Sequence, residues 1–170
     1  IENLVNEFSD FARMPKPILK DNNLVPLINE NINLISQLDK NIEIKVNYNQ
    51  KERILNSDSE QLSRVFFNLL KNSIESIYDK KLNNVYFKEK IEVNLEKDDN
   101  EIVFTITDNG LGFEKFTDNI KDILSPYFTT KKKGTGLGLS IVNKIINDHN
   151  GSIDFFSLGD GAKIKITFIK

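Results

Sequence analysis

Apolar positions along the chain change their spacing several times, and each change marks an element. In IENLVNEFSDFARM, Leu4, Val5, Phe8, Phe11 and Ala12 recur with the 3.6-residue period of an amphipathic helix. Pro15 and Pro17 end that pattern, because proline removes a helix donor and disfavours helical backbone at its predecessor. Residues 24–36, LVPLINENINLIS, predict a second helix, and IEIKVNYN and RILNSD predict two short strands. Leu62, Val65, Phe66, Leu69, Leu70, Ile74 and Ile77 then return at helical spacing, behind an N-cap at Asp58 or Ser59, in a helix running to about Tyr78. KIEVNLEKDDNEIVFTITD alternates with period two around a polar turn and predicts a hairpin. GLGLSIVNKIINDHNG predicts another helix with Gly151 in a stop position, and SIDFFSLGDGAKIKITFIK a final hairpin. Between them, residues 110–135 are irregular, glycine-marked and charged, the character of a lid or binding loop.

The predicted order for the domain is α, β, β, α, β, β, irregular segment, α, β, β. With consecutive strands mostly pairing as hairpins, this is an α+β protein with a mixed sheet and helices packed on one face. Residues 1–17 form a helical tail and linker, and the domain proper spans 18–170. The chain opens on Ile1 in mid-helix, as expected of a piece of a longer protein.

Composition narrows the chemistry. The chain has 170 residues, 39% of them hydrophobic and 28% charged, which suits one sizeable globular domain with a short appendage. A net charge of -2 gives no electrostatic case for nucleic acid, and no apolar run reaches the roughly 20 residues of a membrane span. Absence of cysteine excludes disulfides and thiolate metal sites, and a single histidine argues against a zinc site or a Ser-His-Asp triad. The excess of lysine over arginine, with many asparagines, reads as genomic base composition.

Four constellations remain. Asn68 and Asn72 stand one helical turn apart beside an apolar stripe, where amide oxygens suit Mg²⁺ and amide nitrogens can donate to phosphate. The plainer reading is a pair of helix-edge amides bonded to backbone. DNGLGF, from Asp108 to Phe113, follows a strand; Asp108 offers an acceptor suited to an amino donor such as adenine N6, although DNG is also ordinary turn chemistry. KKKGTGLGLS places Gly134, Gly136 and Gly138 at a helix start, where free N–H groups and partial positive charge favour phosphate, with Lys131, Lys132 and Lys133 upstream. Neither a Walker A loop nor the dinucleotide G-x-G-x-x-G is present, and the lysines alone fit a solvated loop. PYFTTK puts Phe128 in the irregular segment, either to anchor a closing cover or to fill a satellite core.

As an ordered set, these four resemble the N, G1, F and G2 boxes of the histidine-kinase ATP-binding domain, over about residues 20–170. That domain has the Bergerat-type (GHKL) fold shared with DNA gyrase, Hsp90 and MutL, a two-layer α/β sandwich with a long ATP lid, here about 113–133. The tail LVNEFSDFARMPKP resembles the end of the dimerisation hairpin in NtrY-type nitrogen-regulation kinases. The resemblance implies ATP and Mg²⁺ as cofactors. Asn72 would coordinate the metal, with Asn68 at the metal–phosphate cluster as a second candidate. Asp108 would read adenine in a pocket shaped by Gly110 and Gly112. Gly134, Gly136, Leu137 and Gly138 would wrap the phosphates, with Phe128 and Lys131 approaching from the lid.

It further implies transfer of the γ-phosphoryl to a histidine on the chain's own dimerisation domain, then to a response regulator receiver domain. The parent would be a homodimeric inner-membrane sensor, of which this is a cytoplasmic domain without direct membrane contact. The acceptor histidine is expected upstream, so the fragment should not phosphorylate itself.

Position 68 divides the family. The gyrase and Hsp90 branches carry a glutamate there that activates water, whereas asparagine cannot accept a proton at neutral pH. A stand-alone ATPase or chaperone domain is therefore the weaker alternative. Glu75 stands where many histidine kinases have Lys or Arg, and the chain ends FIK without the common Leu-Pro. The missing cation leaves room for a degenerate nucleotide sensor. His149 ends the helix after the G2 box, a position that favours an imidazole on structural grounds and not as the phosphoacceptor.

Overall fold

The computed structural model describes residues 9, 13–48, 51–83, 86–113, 120–127, 129 and 135–170. Its elements run β1 (Lys20–Asn23), α1 (Leu24–Leu38), β2 (Glu43–Asn47), β3 (Ile54–Ser57), α2 (Ser59–Leu82), β4 (Lys90–Lys97) and β5 (Glu101–Asp108). A 3-10 turn at Ile120–Leu124 precedes α3 (Gly138–Asp148), β6 (Gly151–Ser157) and β7 (Ala162–Ile169). The main sheet has the order β2-β4-β5-β7-β6, and β1 pairs with β3 in a separate antiparallel ribbon.

β4–β5 and β6–β7 are the two predicted hairpins, and β7 joins them by pairing antiparallel with β5. β2 and β3 do not pair with each other. β2 lies parallel to β4 across the intervening helix, which makes the sheet mixed, and β3 takes β1 as its partner. Strand β1 itself, KDNN, is too polar and too short to carry an alternating signal.

Strand alternation decides which face is covered. Ile91, Val93 and Leu95 on β4, Ile102, Phe104 and Ile106 on β5, and Ile164, Ile166 and Phe168 on β7 are buried, while their neighbours in sequence are less so. All these side chains belong to one core with the apolar stripes of the three helices. Phe66 of α2 meets Phe104 of β5 at 4.9 Å between ring centroids. The helices therefore occupy one face, and Glu92, Asn94, Thr107, Lys163 and Lys165 take the other.

Local signals set the helix ends. Asn23 caps α1 by accepting from the Val25 N–H, and Asp58 caps α2 by accepting from the N–H groups of Glu60 and Gln61. α2 runs on past Tyr78 to Leu82. Lys80 and Lys81 in its last turn are held by Asp160 and Glu89 and complement the helix dipole. α3 ends differently from the sequence expectation. The residue in left-handed backbone is Asn150, at φ 55°, and Gly151 already belongs to β6. Asparagine tolerates that region because its short polar side chain can bond locally.

His149 joins two helix ends. Its Nδ1–H donates to the Ile145 carbonyl at 2.7 Å, and its Nε2 accepts the Asp58 N–H at 3.0 Å. Burial works against the charge of the Asp58 carboxylate, yet donation from the N–H groups of Ile18, Gln61 and Glu60 holds its pKa below the ordinary value. One residue thus caps α2 and receives the chain entering from the tail.

Phe66→Ala removes a fully buried ring at the junction of α2 and β5 and should cost about 3–5 kcal/mol of unfolding free energy. Urea denaturation checks this; a loss below 1 kcal/mol would mean that the ring is not at the centre of the core.

Candidate functional site

β5 places Asp108 by simple alternation. Ile102, Phe104, Ile106 and Asp108 all point to the helix-covered face, so the strand ends by sending a carboxylate into the core. Asp108 accepts from the Gly110 N–H at 2.9 Å, from the Ser73 hydroxyl of α2 and from the Ala162 N–H at the start of β7. Burial nevertheless wins over these donors and over the nearby positive charge of Lys80, and raises its pKa from 3.8 to about 6.

Glycines let the backbone close around it. A Cβ on Gly161, which has φ +99°, would lie 1.9 Å from the Asp108 carbonyl oxygen. One on Gly110 would lie 2.3 Å from Ser76 Oγ. Both are clashes that only glycine avoids. Ser76 Oγ in turn accepts the Leu111 N–H at 3.0 Å. Ser73, Ser76, Gly161 and Ala162 are site residues that sequence reasoning missed. The serines did carry a signal, lying one and four residues after Asn72 on the same helix.

α2 and α3 bring the remaining groups together. Asn68 donates through Nδ2 to the Arg64 carbonyl at 2.8 Å, as the plainer reading expected. Its Oδ1 points the other way, 3.4 Å from where a Cβ on Gly138 would stand, at the N-terminus of α3. The N-cap of α3, Leu137, makes no side-chain cap, so among the described residues no side chain caps the donors of the first turn. Leu137 itself is fully buried and packs into the core beneath this turn. Gly136, at φ +69°, packs its α-carbon on Tyr127, whose N–H donates to the Gly136 carbonyl at 3.0 Å; this closes the base of the irregular segment. Phe128, Lys131 and Gly134 lie outside the described residues.

Two hollows compete for the role of the site. A groove of about 340 Å³ beside the β1–β3 ribbon is lined by Leu19, Ile54, Asn56, His149 and Ile169, and it gathers none of the predicted site residues. A narrower crevice, about 40 Å³, is lined by Asn72, Ser73, Ser76, Asp108, Gly112, Phe113 and Leu139. Volume favours the groove and chemistry favours the crevice. The crevice unites the asparagine helix, the buried carboxylate and the first turn of α3, and polar groups that converge in a cleft mark a site better than size does.

A family model for the histidine kinase-, DNA gyrase B- and HSP90-like ATPases matches residues 57–170. The chain belongs to this ATPase family. An NtrY-like sensor histidine kinase of Rickettsia conorii is 36% identical over 169 residues, covering 99% of this chain and 27% of the relative. The chain thus spans about a quarter of that relative's length. The nucleotide-free catalytic domain of histidine kinase ThkA is 27% identical, with a TM-score of 0.71, over 89% of this chain and 97% of that one. ThkA in complex with response regulator TrrA superposes with a TM-score of 0.79 at 24% identity, over 99% of this chain and 47% of that one. These likenesses bear out the α+β sandwich and the family resemblance of the sequence. Among the described residues, no helix of the domain is long and apolar enough to cross a membrane.

Asp108 makes the domain's stability depend on pH. Its folded pKa of about 6 exceeds the 3.8 of an ordinary carboxyl, so the folded state holds a proton that the unfolded state has released. Stability therefore falls as pH rises from about 3.8 to about 6 and levels off above, by at most about 3 kcal/mol. Asp108→Asn should abolish this slope, so its stability relative to the parent should rise by about 2 kcal/mol between pH 4 and pH 7. Urea unfolding at both values checks this; parallel profiles would contradict a buried, proton-binding carboxyl.

Proposed function

We propose that this chain is the ATP·Mg²⁺-binding catalytic part of an NtrY-type sensor histidine kinase. In this reading it passes the γ-phosphoryl of ATP to a histidine on the dimerisation domain of the same protein, for relay to a response regulator. The observation that carries the reading is the polarity of this region. At one end the crevice holds a buried acceptor, Asp108, and at the other, outside the crevice lining, the N-terminus of α3 offers helix donors beside the Asn68 amide. A ligand with an amino-bearing base and a polyanionic tail matches both ends.

The donor set fits a metal that arrives with the phosphates. Among the described residues, no group of three or more His, Cys, Asp or Glu could hold an ion. Mg²⁺ needs few protein ligands when phosphates and water supply the others. Asn72 would hold it, with Asn68 as the second candidate, and the bound ion would neutralise charge on the triphosphate. Asn68 cannot take a proton from water, which suits an enzyme that keeps its γ-phosphoryl for a protein acceptor. The adenine side belongs to Asp108, Gly110 and Gly112. The phosphate side belongs to Gly134, Gly136, Leu137 and Gly138, with Phe128 and Lys131 on the lid.

Residues 1–17 are the end of a dimerisation helix and its linker in the same reading, and the parent is a homodimer anchored in the inner membrane. The crystallised complex of ThkA with TrrA supports a response regulator as partner. Glu75 favours a second reading, a degenerate sensor, because it places an anion where the family resemblance implies a cation. Lys71 stands 3.9 Å from it and answers part of that charge.

Calorimetry with a non-hydrolysable ATP analogue, with and without Mg²⁺, tests the proposal. Asp108→Ala should weaken binding at least about tenfold, the worth of a hydrogen bond to a charged group, and Asn72→Ala should remove the Mg²⁺ dependence. Unchanged affinity in both variants would overturn the site. A separately supplied acceptor-helix domain should gain a labelled histidine; none at all would favour the degenerate sensor.

A further inference from the structure

Lys80 is a lysine placed like a core residue. It lies two turns beyond Asn72 on α2, with only 12% of its side chain exposed. Its ammonium donates to the Asn109 carbonyl at 2.7 Å, pairs with the carboxylate of Asp160 and stands 4.4 Å from the centroid of the Phe87 ring. A lysine held by charge alone would project into solvent and keep its rotamer freedom. This one is committed to three directions at once.

Those directions converge on Asp108. Asn109 follows it directly, with its amide clamped to the chain entering β4: Oδ1 accepts the Lys90 N–H at 2.9 Å and Nδ2 donates to the Lys88 carbonyl at 2.7 Å. Asp160 immediately precedes Gly161 and Ala162, the pair that packs against the Asp108 backbone and donates to its carboxylate. Lys80 thus ties one helix to both segments that hold the carboxylate, and Phe87 closes the fourth side. Neither the sequence motifs nor the phosphate-binding groups account for it.

We propose that Lys80 is a positioning residue for the base pocket, fixing Asp108 as the acceptor of an exocyclic amino group by holding the Asn109 loop and the Asp160 turn on α2. This rests on the reading of the crevice as an adenine nucleotide site. The same cation also works against the burial that raises the pKa of Asp108, and so favours its accepting form.

The test compares two ligands on the full 170-residue chain: a non-hydrolysable ATP analogue and the matching purine riboside triphosphate, which lacks the 6-amino group. The parent should prefer the amino-bearing ligand by roughly tenfold, the worth of a charge-assisted hydrogen bond. In Lys80→Met that ratio should fall to about one while binding of the purine ligand changes less than about threefold, and Lys80→Arg should restore the preference. General loosening of the fold would weaken both ligands alike, so an unchanged ratio in a folded Lys80→Met overturns the inference, as does failure of arginine to rescue it. Should Lys80→Met not fold, Asp160→Ala decides the matter, because that side chain is 69% exposed and its loss spares the core. A ratio at least about threefold lower supports the role, and an unchanged one overturns it. A parent chain that binds both ligands equally, or neither, defeats the adenine reading itself before any substitution and takes this inference with it.

Discussion

A carboxylate that must remain inside the protein governs the architecture around the end of β5. Burial of an acid without partners is costly, and Asp108 has its partners supplied from three separate elements: a hydroxyl from α2, an N–H from its own loop and an N–H from β7. For those donors to reach it, backbone must approach backbone closer than any side chain permits. Hence glycine stands at 110 and 161, where a Cβ would meet Ser76 or the Asp108 carbonyl. The donors do not fully offset the burial, and the raised pKa is what remains. A group kept at such cost is more readily explained by a ligand than by stability.

The second organising feature is the pair of helices that meet over the sheet. α2 carries Asn68 and Asn72 midway along its length, and α3 brings its N-terminus to Asn68 while its C-terminus reaches the start of α2 through His149. The two helices are therefore registered at both ends of α3. Where the helices meet, the described polar groups include the neutral Asn68 amide and the N-terminal dipole of α3. Such groups can cradle phosphate without being able to ionise water. In the proposed kinase reading that distinction separates delivery of a phosphoryl group from its hydrolysis.

Charge enters the region from outside the seam. Lys80 lies behind the pocket, bound to backbone and to the β6–β7 turn, and Glu75 faces Lys71 along the helix. Among the described residues, these charges stand beside the crevice and none of them lines it.

Sequence determined the elements and most of their faces, because periodicity of apolar residues reports burial directly. The stripe from Leu62 to Ile77 and the alternation through Ile91 and Phe104 were both legible, and Asp108 was legible as an acceptor at a strand end; its place on the inner face emerged with the observed strand. The ordered motifs likewise named Asn68, Asn72 and the glycine clusters as candidates. Tertiary structure alone decided the partners. It set β2 against β4 and β3 against β1, gave α3 its left-handed stop at Asn150, and brought Gly161, Ala162 and Lys80 to Asp108 from positions 28 to 54 residues away. The reason is physical: a period records which side of an element faces the core, whereas hydrogen bonds and close backbone approaches depend on which elements meet, and that is fixed only when the whole sheet pairs.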